Sequence, residues 1–274
     1  MGDLDRILAV LGEVRRRLVR IALVLAPIFG FLITFELRPV RLPIGPISLP
    51  FAYPYPSLFY NTTAQVFQAL KAWELPRGVT LLNLGVGDSV IVQMELGALL
   101  AVILGMPWIV HEVGAFLVPA LRTNERGLLR QIGIPASALF AIGTLAGLLL
   151  LTPLTFQLLF LYVSAMGAAP VLGIDSFVAF TLLYSLAFGV ACELPVFIYA
   201  LTRLGVVPAS AWRKHWRGAV IGCLVFGMVV TPDNSGITML LVAAPMMALY
   251  FGGVWFAGRW EADRPARRLG AVGG

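Results

Sequence analysis

The sequence predicts an all-α integral membrane protein with six transmembrane helices and both termini in the cytoplasm. Three observations carry that prediction. Of 274 residues, 59% are hydrophobic and only 12% are charged, and the mean hydropathy is +0.89. A soluble domain carries about 25% charged residues, so this composition places the chain in a bilayer. Six apolar runs follow one another, near 18–35, 90–113, 128–151, 174–201, 218–230 and 237–257. The basic residues, finally, gather on alternate connections between those runs.

The runs are read as helices because a helix satisfies its own backbone hydrogen bonds in lipid. The period-two alternation of a membrane barrel is absent. The run 21–35 follows a charged segment that ends at Arg20, and no small-x-small cleavage site follows it. It is therefore expected to stay as the first span rather than to serve as a cleavable signal. The whole chain, 1–274, reads as one polytopic membrane domain.

Orientation comes from the 20 Lys and Arg residues. Arg6, Arg15, Arg16, Arg17 and Arg20 precede span one, and Arg122, Arg126 and Arg130 follow span two. Arg203, Arg213, Lys214 and Arg217 follow span four, and Arg259, Arg264, Arg267 and Arg268 lie in the tail. These 16 share one side, while the other four, Arg38, Arg41, Lys71 and Arg77, all lie in loop 36–88. Excess Lys and Arg mark the cytoplasmic face, which puts loop 36–88 outside. The same rule accounts for the net charge of +6 without nucleic acid.

The outer loop is dense in proline from Pro39 to Pro76 and cannot be one regular element. Within 60–74, however, Val66, Phe67, Leu70 and Trp73 recur at helical spacing. They predict a short amphipathic helix, so that the extracytoplasmic loop acts as a cap over the outer span ends. Asn61-Thr62-Thr63 fits the N-glycosylation pattern, which is common by chance. The fifth span is short: 218–231 is 14 residues, roughly 21 Å of helix against a hydrocarbon core of about 30 Å. Either neighbouring spans shield it or it thins the bilayer locally.

Enzymatic readings fail on their own chemistry. His111-Glu112 opens like a zinc-peptidase motif, but Ala115 stands where the second histidine belongs. Gly85-Val86-Gly87-Asp88 resembles an intramembrane aspartyl protease motif, yet the other aspartates near spans, Asp175 and Asp233, lie at outer ends as Asp88 does. Cys192 and Cys223 sit inside apolar runs and read as small core residues. No catalytic residue, metal or cofactor is expected.

Two carboxylates stand among the cytoplasmic arginines. Glu13 lies in LGEVRRRL (11–18) and pairs by helical spacing with Arg17, worth a few tenths of a kcal/mol. Glu125 lies in FLVPALRTNERGLL (116–129), where it suits the N-terminus of span three. Acids on a basic face are also placed to receive an incoming arginine, since guanidinium and carboxylate pair through two hydrogen bonds.

LGEVRRRL resembles the H-L-x-E-L-R-x-R-L opening of the TatC family, the twin-arginine translocase subunit. MPWIVHEVGAFLVPALRTNERGLL (106–129) resembles that family's second span and F-x-x-P-A-L-x-x-x-E-R loop. FGVACELPV (188–196) and GMVVTP (227–232) resemble blocks of its fourth and fifth spans. The blocks keep the family's order across nearly the whole chain. The resemblance implies a receptor in the cytoplasmic (inner) membrane of a prokaryote that binds twin-arginine signal peptides of folded cargo. It implies assembly with TatA/TatB-type single-span proteins, self-association in a larger complex, and export driven by the proton-motive force. Carried over, Glu13 and Glu125 contact the signal peptide's arginines, and Arg15, Arg17, Phe116, Pro119, Leu121 and Arg126 build the surrounding surface. Met228, Thr231 and Thr238 match positions for partner-helix docking. Val10, Val14, Glu95 and Thr238 depart from the family's usual residues, as does Asn234 in place of the acid of T-P-P-D.

Glu193 is the only ionisable carboxylate between Ser185 and Thr202. It precedes Arg203 by ten residues, hence roughly 15 Å along a helix and near mid-bilayer. A charged side chain on the lipid face there costs about 2.5–3.5 kcal/mol, so Glu193 is expected to face protein. It reads either as an acid satisfied by a neighbouring helix or as a polar docking point for a partner span. An alternative function, a proton-coupled secondary transporter, would use Glu193 as its proton site.

Overall fold

A computed structural model of the chain describes residues 3–44, 47–117, 126–231 and 236–262. The first helix, α1 (Asp3–Thr34), leads into a hairpin of β1 (Phe35–Ile44) and β2 (Ile47–Pro56). Then come α2 (Thr62–Glu74), β3 (Thr80–Leu82) and α3 (Asp88–Leu117). A continuous helical stretch follows, made of α4 (Arg126–Ala146), a π-turn (Gly147–Leu151) and α5 (Thr152–Ala165). β4 (Val171–Gly173) precedes α6 (Ile174–Ala191), α7 (Leu194–Arg203), α8 (Ala209–Lys214), α9 (Trp216–Val230) and α10 (Gly236–Ala262). Among the described residues, five stretches are long and apolar enough to cross a membrane: Val10–Thr34, Asp88–Phe116, Gln131–Ala165, Ile174–Arg203 and Gly236–Ala262. The shorter α9 has 15 residues, about 22 Å of helix.

Two predicted spans change shape. The third, expected to end at 151, runs on to Ala165. Thr152 and Pro153 look like a stop, but the wide π-turn absorbs the donor that proline lacks. The N–H of Thr152 bonds the carbonyl of Gly147, and its Oγ1 donates to the same oxygen at 2.8 Å. The fourth breaks at Cys192–Glu193 between α6 and α7, two residues before Pro195. There the N–H of Glu193 bonds the carbonyl of Val190 at 3.1 Å, a tighter turn than α-helix. Hydroxyls along the spans bond their own helix: Ser137 to Gly133, Thr155 to Leu151 and Thr231 to Gly227, each at 2.9 Å.

The chain forms two compact units. The first comprises Met1–Glu112 and Phe156–Leu182. Here the all-α prediction is corrected: the proline-rich loop begins with an antiparallel ribbon, Phe35 opposite Pro56 through Ile44 opposite Ile47. Pro39, Pro43, Pro50, Pro54 and Pro56 all fall on every second register pair. The intervening pairs carry the ladder, so no proline has to donate to it. A second correction is the parallel pairing of β3 with β4, Thr80 opposite Val171 through Leu82 opposite Gly173.

The expected amphipathic helix forms as α2, with a shifted buried face. Thr63, Leu70 and Glu74 are buried, whereas Trp73 is 63% exposed. Asn61 caps α2, its Oδ1 accepting from the N–H of Ala64 at 2.9 Å. Its amide also donates to the carbonyl of Ile33 at 2.9 Å and to Gln93 Oε1 at 2.8 Å. The side chain of the glycosylation triplet is thus buried and tied to α1 and α3. Gln65 bonds both the N–H and the carbonyl of Leu37, fastening α2 to the edge of β1. Glu74 receives Thr181 Oγ1 on its Oε2 at 2.8 Å. Burial pushes this carboxyl up to about 8, and the Thr181 hydrogen bond opposes that shift.

The second unit comprises Val113–Thr155 and Leu183–Gly274. Ile198 of α7 packs with Tyr250, Val254 and Ala257 of α10, and Trp212 and Ala219 lie against them. Backbones approach closely at several glycines, Gly253 and Gly227 among them. A Cβ on Gly253 would stand 2.8 Å from Pro195 Cα, and one on Gly227 would stand 2.7 Å from the carbonyl oxygen of Met239. Small residues let membrane helices come this near.

Candidate functional site

The first unit gathers charge at one end of α1 and α3. Glu13 and Arg17 lie one turn apart on α1, and the expected pair forms: Arg17 Nη2 and Nε donate to Glu13 Oε1 at 2.5 and 3.1 Å. Arg17 does not stop there. Its Nη1 donates to Glu112 Oε2 at 3.3 Å and to the Glu112 carbonyl at 3.3 Å. Arg20 stands 3.8 Å from the same carboxylate. Glu112 is almost wholly enclosed, its side chain 4% exposed, against 40% for Glu13. One guanidinium therefore bridges an outer acid and an inner one, in an open cavity of about 490 Å³ lined by Gly12, Glu13, Arg16, Arg17 and Arg20.

Glu112 is the residue that sequence reasoning missed. His111-Glu112 was legible only as half of a zinc motif. The two side chains in fact part: His111 stacks on Trp108, at 5.5 Å between rings, while Glu112 meets the arginines. The available signal was an acid near the end of an apolar span, on the membrane face to which the five arginines preceding span one also belong.

The other candidates are placed as follows. Arg15 is exposed on α1, and Phe116 is half-buried at the end of α3. Pro119, Leu121 and Glu125 lie outside the described residues, as does the side chain of Arg126, which begins α4. Glu193 is half-buried at the α6–α7 break, and its Oε1 is enclosed with no hydrogen-bond partner among the described residues. Met228 is 50% exposed on α9, beside Val225 and Val229 on the same outward face. Thr231 and Thr238 are buried.

The family model of the Sec-independent protein translocase protein (TatC) matches residues 9–245. The chain belongs to the TatC family. The TatC of Cenarchaeum symbiosum is 36% identical over 251 residues, spanning 92% of this chain and 94% of that protein. The TatC of Escherichia coli K12 is 31% identical over 73% of this chain and 76% of its own length. The chloroplastic TATC of Pisum sativum is 33% identical over 68% of this chain and 53% of its own length. A crystal structure described as the twin-arginine translocase receptor TatC has the same fold, with a TM-score of 0.70 at 24% identity, covering 92% of this chain and 98% of that one. As a TatC, this chain is a multi-pass membrane component of a protein translocase.

Proposed function

We propose that this chain is a receptor for twin-arginine signal peptides of folded cargo, with six spans and both termini on the cytoplasmic face of a prokaryotic inner membrane. The observation that carries the proposal is the bridge from Glu13 through Arg17 to Glu112. Glu13 already accepts two guanidinium donors, the geometry that a peptide arginine would use. A peptide arginine exchanges with Arg17 at Glu13, and Glu112 keeps Arg17 paired while it does so. Glu125 takes the second arginine, and Arg15, Phe116, Pro119, Leu121 and Arg126 form the surrounding surface.

The outer loop acts as the cap, its α2 face held down by Asn61, Leu70 and Glu74. The outward face of α9 at Met228 docks a TatA/TatB-type helix, with Thr231 and Thr238 supporting it from beneath. Glu193 offers that assembly a polar point within the membrane, where no water competes for it. Self-association and the proton-motive force complete the export reaction.

The test is binding of an Arg-Arg signal peptide and its Lys-Lys counterpart to purified protein, repeated with Glu13→Ala and Glu125→Ala. The Arg-Arg peptide is expected to bind tighter, and each substitution to remove most of that preference. Equal affinities throughout would overturn the proposal. Solute flux that Glu193→Gln abolishes would instead support a transporter.

A further inference from the structure

The second unit contains a cavity with two chemically distinct ends. It has a volume of about 330 Å³ and lies between α4, α7 and α10. At one end Arg203 Nη1 donates to Gln131 Oε1 at 2.8 Å and to the Tyr199 hydroxyl at 3.0 Å. Away from that end the walls are apolar: Pro135 and Leu139 of α4, Val196 of α7 and Phe256 of α10. Leu139 lies eight residues from Gln131 and Val196 seven from Arg203, so the apolar part reaches roughly 10–12 Å inward along the helices.

We propose that this cavity binds one anionic phospholipid, its phosphate on Arg203 and Gln131 and one acyl chain along Leu139, Val196 and Phe256. Charge is the first argument. Among the described residues no carboxylate pairs with Arg203, and its Nε and Nη2 keep their donors free. Glu261, a described acid at the same end, is engaged elsewhere, accepting from the N–H of Ala209 at 3.0 Å. Gln131 has an amide donor beside these two, and a guanidinium fork with a neighbouring amide suits phosphate oxygens. Arg213, Lys214, Arg217 and Arg259 crowd the same end of the spans and disfavour a headgroup carrying its own ammonium.

Position is the second argument. Trp260 and Tyr199 flank the guanidinium, at 5.6 and 5.8 Å from ring centroid to Cζ. Tryptophan and tyrosine of this kind mark the headgroup level of a bilayer. A free phosphate would satisfy the polar end and leave the apolar wall against water, so the two-ended shape selects an amphiphile. The proposal is independent of the signal-peptide reading, since it uses none of the same residues.

The test uses the full chain, purified in detergent and titrated with dioleoylphosphatidylglycerol or dioleoylphosphatidylcholine, with bound lipid counted by native mass spectrometry. One phosphatidylglycerol is expected to bind about tenfold or more tighter than phosphatidylcholine. Arg203→Gln should erase that preference while leaving weaker lipids bound. Leu139→Trp, which fills the wall without touching the charge, should lower phosphatidylglycerol occupancy. Glycerol 3-phosphate, the headgroup without its chains, should not compete. Equal binding of the two lipids by the unmodified protein would overturn the proposal, and that comparison needs no variant to fold. So would full phosphatidylglycerol binding by Leu139→Trp or by Arg203→Gln. Competition by glycerol 3-phosphate would mark a free-anion site and also overturn it.

Discussion

Replacing Glu112 by glutamine tests the exchange at Glu13 most directly, because it keeps the side chain's shape and removes its charge. In the unliganded protein Arg17 has two acids, so Glu112→Gln leaves it paired with Glu13 through Nε and Nη2. When a peptide arginine takes Glu13, Arg17 has only Glu112 to turn to. With glutamine there, a guanidinium whose side chain is just 16% exposed is left without a carboxylate. A hydrogen bond to a charged group is worth about 1.5–3 kcal/mol. The penalty falls on the complex and not on the free protein, so it appears in affinity, weakening Kd by about 10- to 150-fold. Arg20, 3.8 Å away and half-exposed, adds no more than about 1 kcal/mol.

The assay is fluorescence anisotropy of a labelled Arg-Arg signal peptide, with thermal unfolding run in parallel to show that the variant is intact. A double-mutant cycle completes it. In an Arg17→Gln background no guanidinium needs a second home, and Glu112→Gln should then change Kd by less than about threefold. If Glu112→Gln binds the peptide as tightly as the unmodified protein, the exchange is refuted. If its loss persists undiminished beside Arg17→Gln, Glu112 meets the peptide itself and the role assigned to Arg17 is wrong.

Three further outcomes follow from the packing. Asn61→Ala removes the α2 cap and two buried amide hydrogen bonds, and should destabilise the protein by about 3 kcal/mol in thermal or chemical unfolding; Asn61 should also stay unmodified under glycosylating expression, read as an unchanged mass. Glu74 keeps its proton up to about 8 when folded, against 4.5 for an ordinary glutamate, so the folded state holds more protons than the unfolded state in that window. Stability from this group is therefore lost as pH rises from 4.5 to about 8, by at most about 5 kcal/mol, and Glu74→Gln should flatten the dependence of unfolding on pH. Gly227→Val drives side-chain atoms into the Met239 carbonyl and should cost about 1–3 kcal/mol in unfolding while leaving Asn61-dependent stability unchanged.

Much of the helical frame was legible because hydropathy and length are local properties. Helices α1, α3, α9 and α10 take in nearly all of the predicted runs 18–35, 90–113, 218–230 and 237–257, and α1 reaches back to Asp3. The outer loop was less legible because proline was weighed as a breaker of regular structure. The deciding fact is parity: prolines on alternate register pairs leave a two-stranded ribbon's ladder whole, and parity means nothing until a partner strand is known. The same holds for α2. Helical spacing located the helix, but Trp73 and Glu74 are adjacent, and which of them turns inward depends on Thr181, more than a hundred residues away.

The charged site divides along the same line. Glu13 and Arg17 could be paired from spacing alone, because one helical turn fixes their neighbourhood. Taken alone, that pair is an ordinary surface contact of small energy. What changes its meaning is Glu112, 95 residues further on, whose enclosure makes the shared guanidinium costly to strand. A single exposed acid could hold Arg17 or a peptide arginine, but not both. In the proposed exchange, two acids of different exposure would let the resident arginine retreat inward as a ligand arrives, and the inner acid would set how much affinity the outer one can show. Glu193 has the opposite geometry: an enclosed carboxylate oxygen that meets no arginine among the described residues at the α6–α7 break. In the proposed assembly it would take a donor from a partner helix, and recognition of arginine would fall to the α1 end.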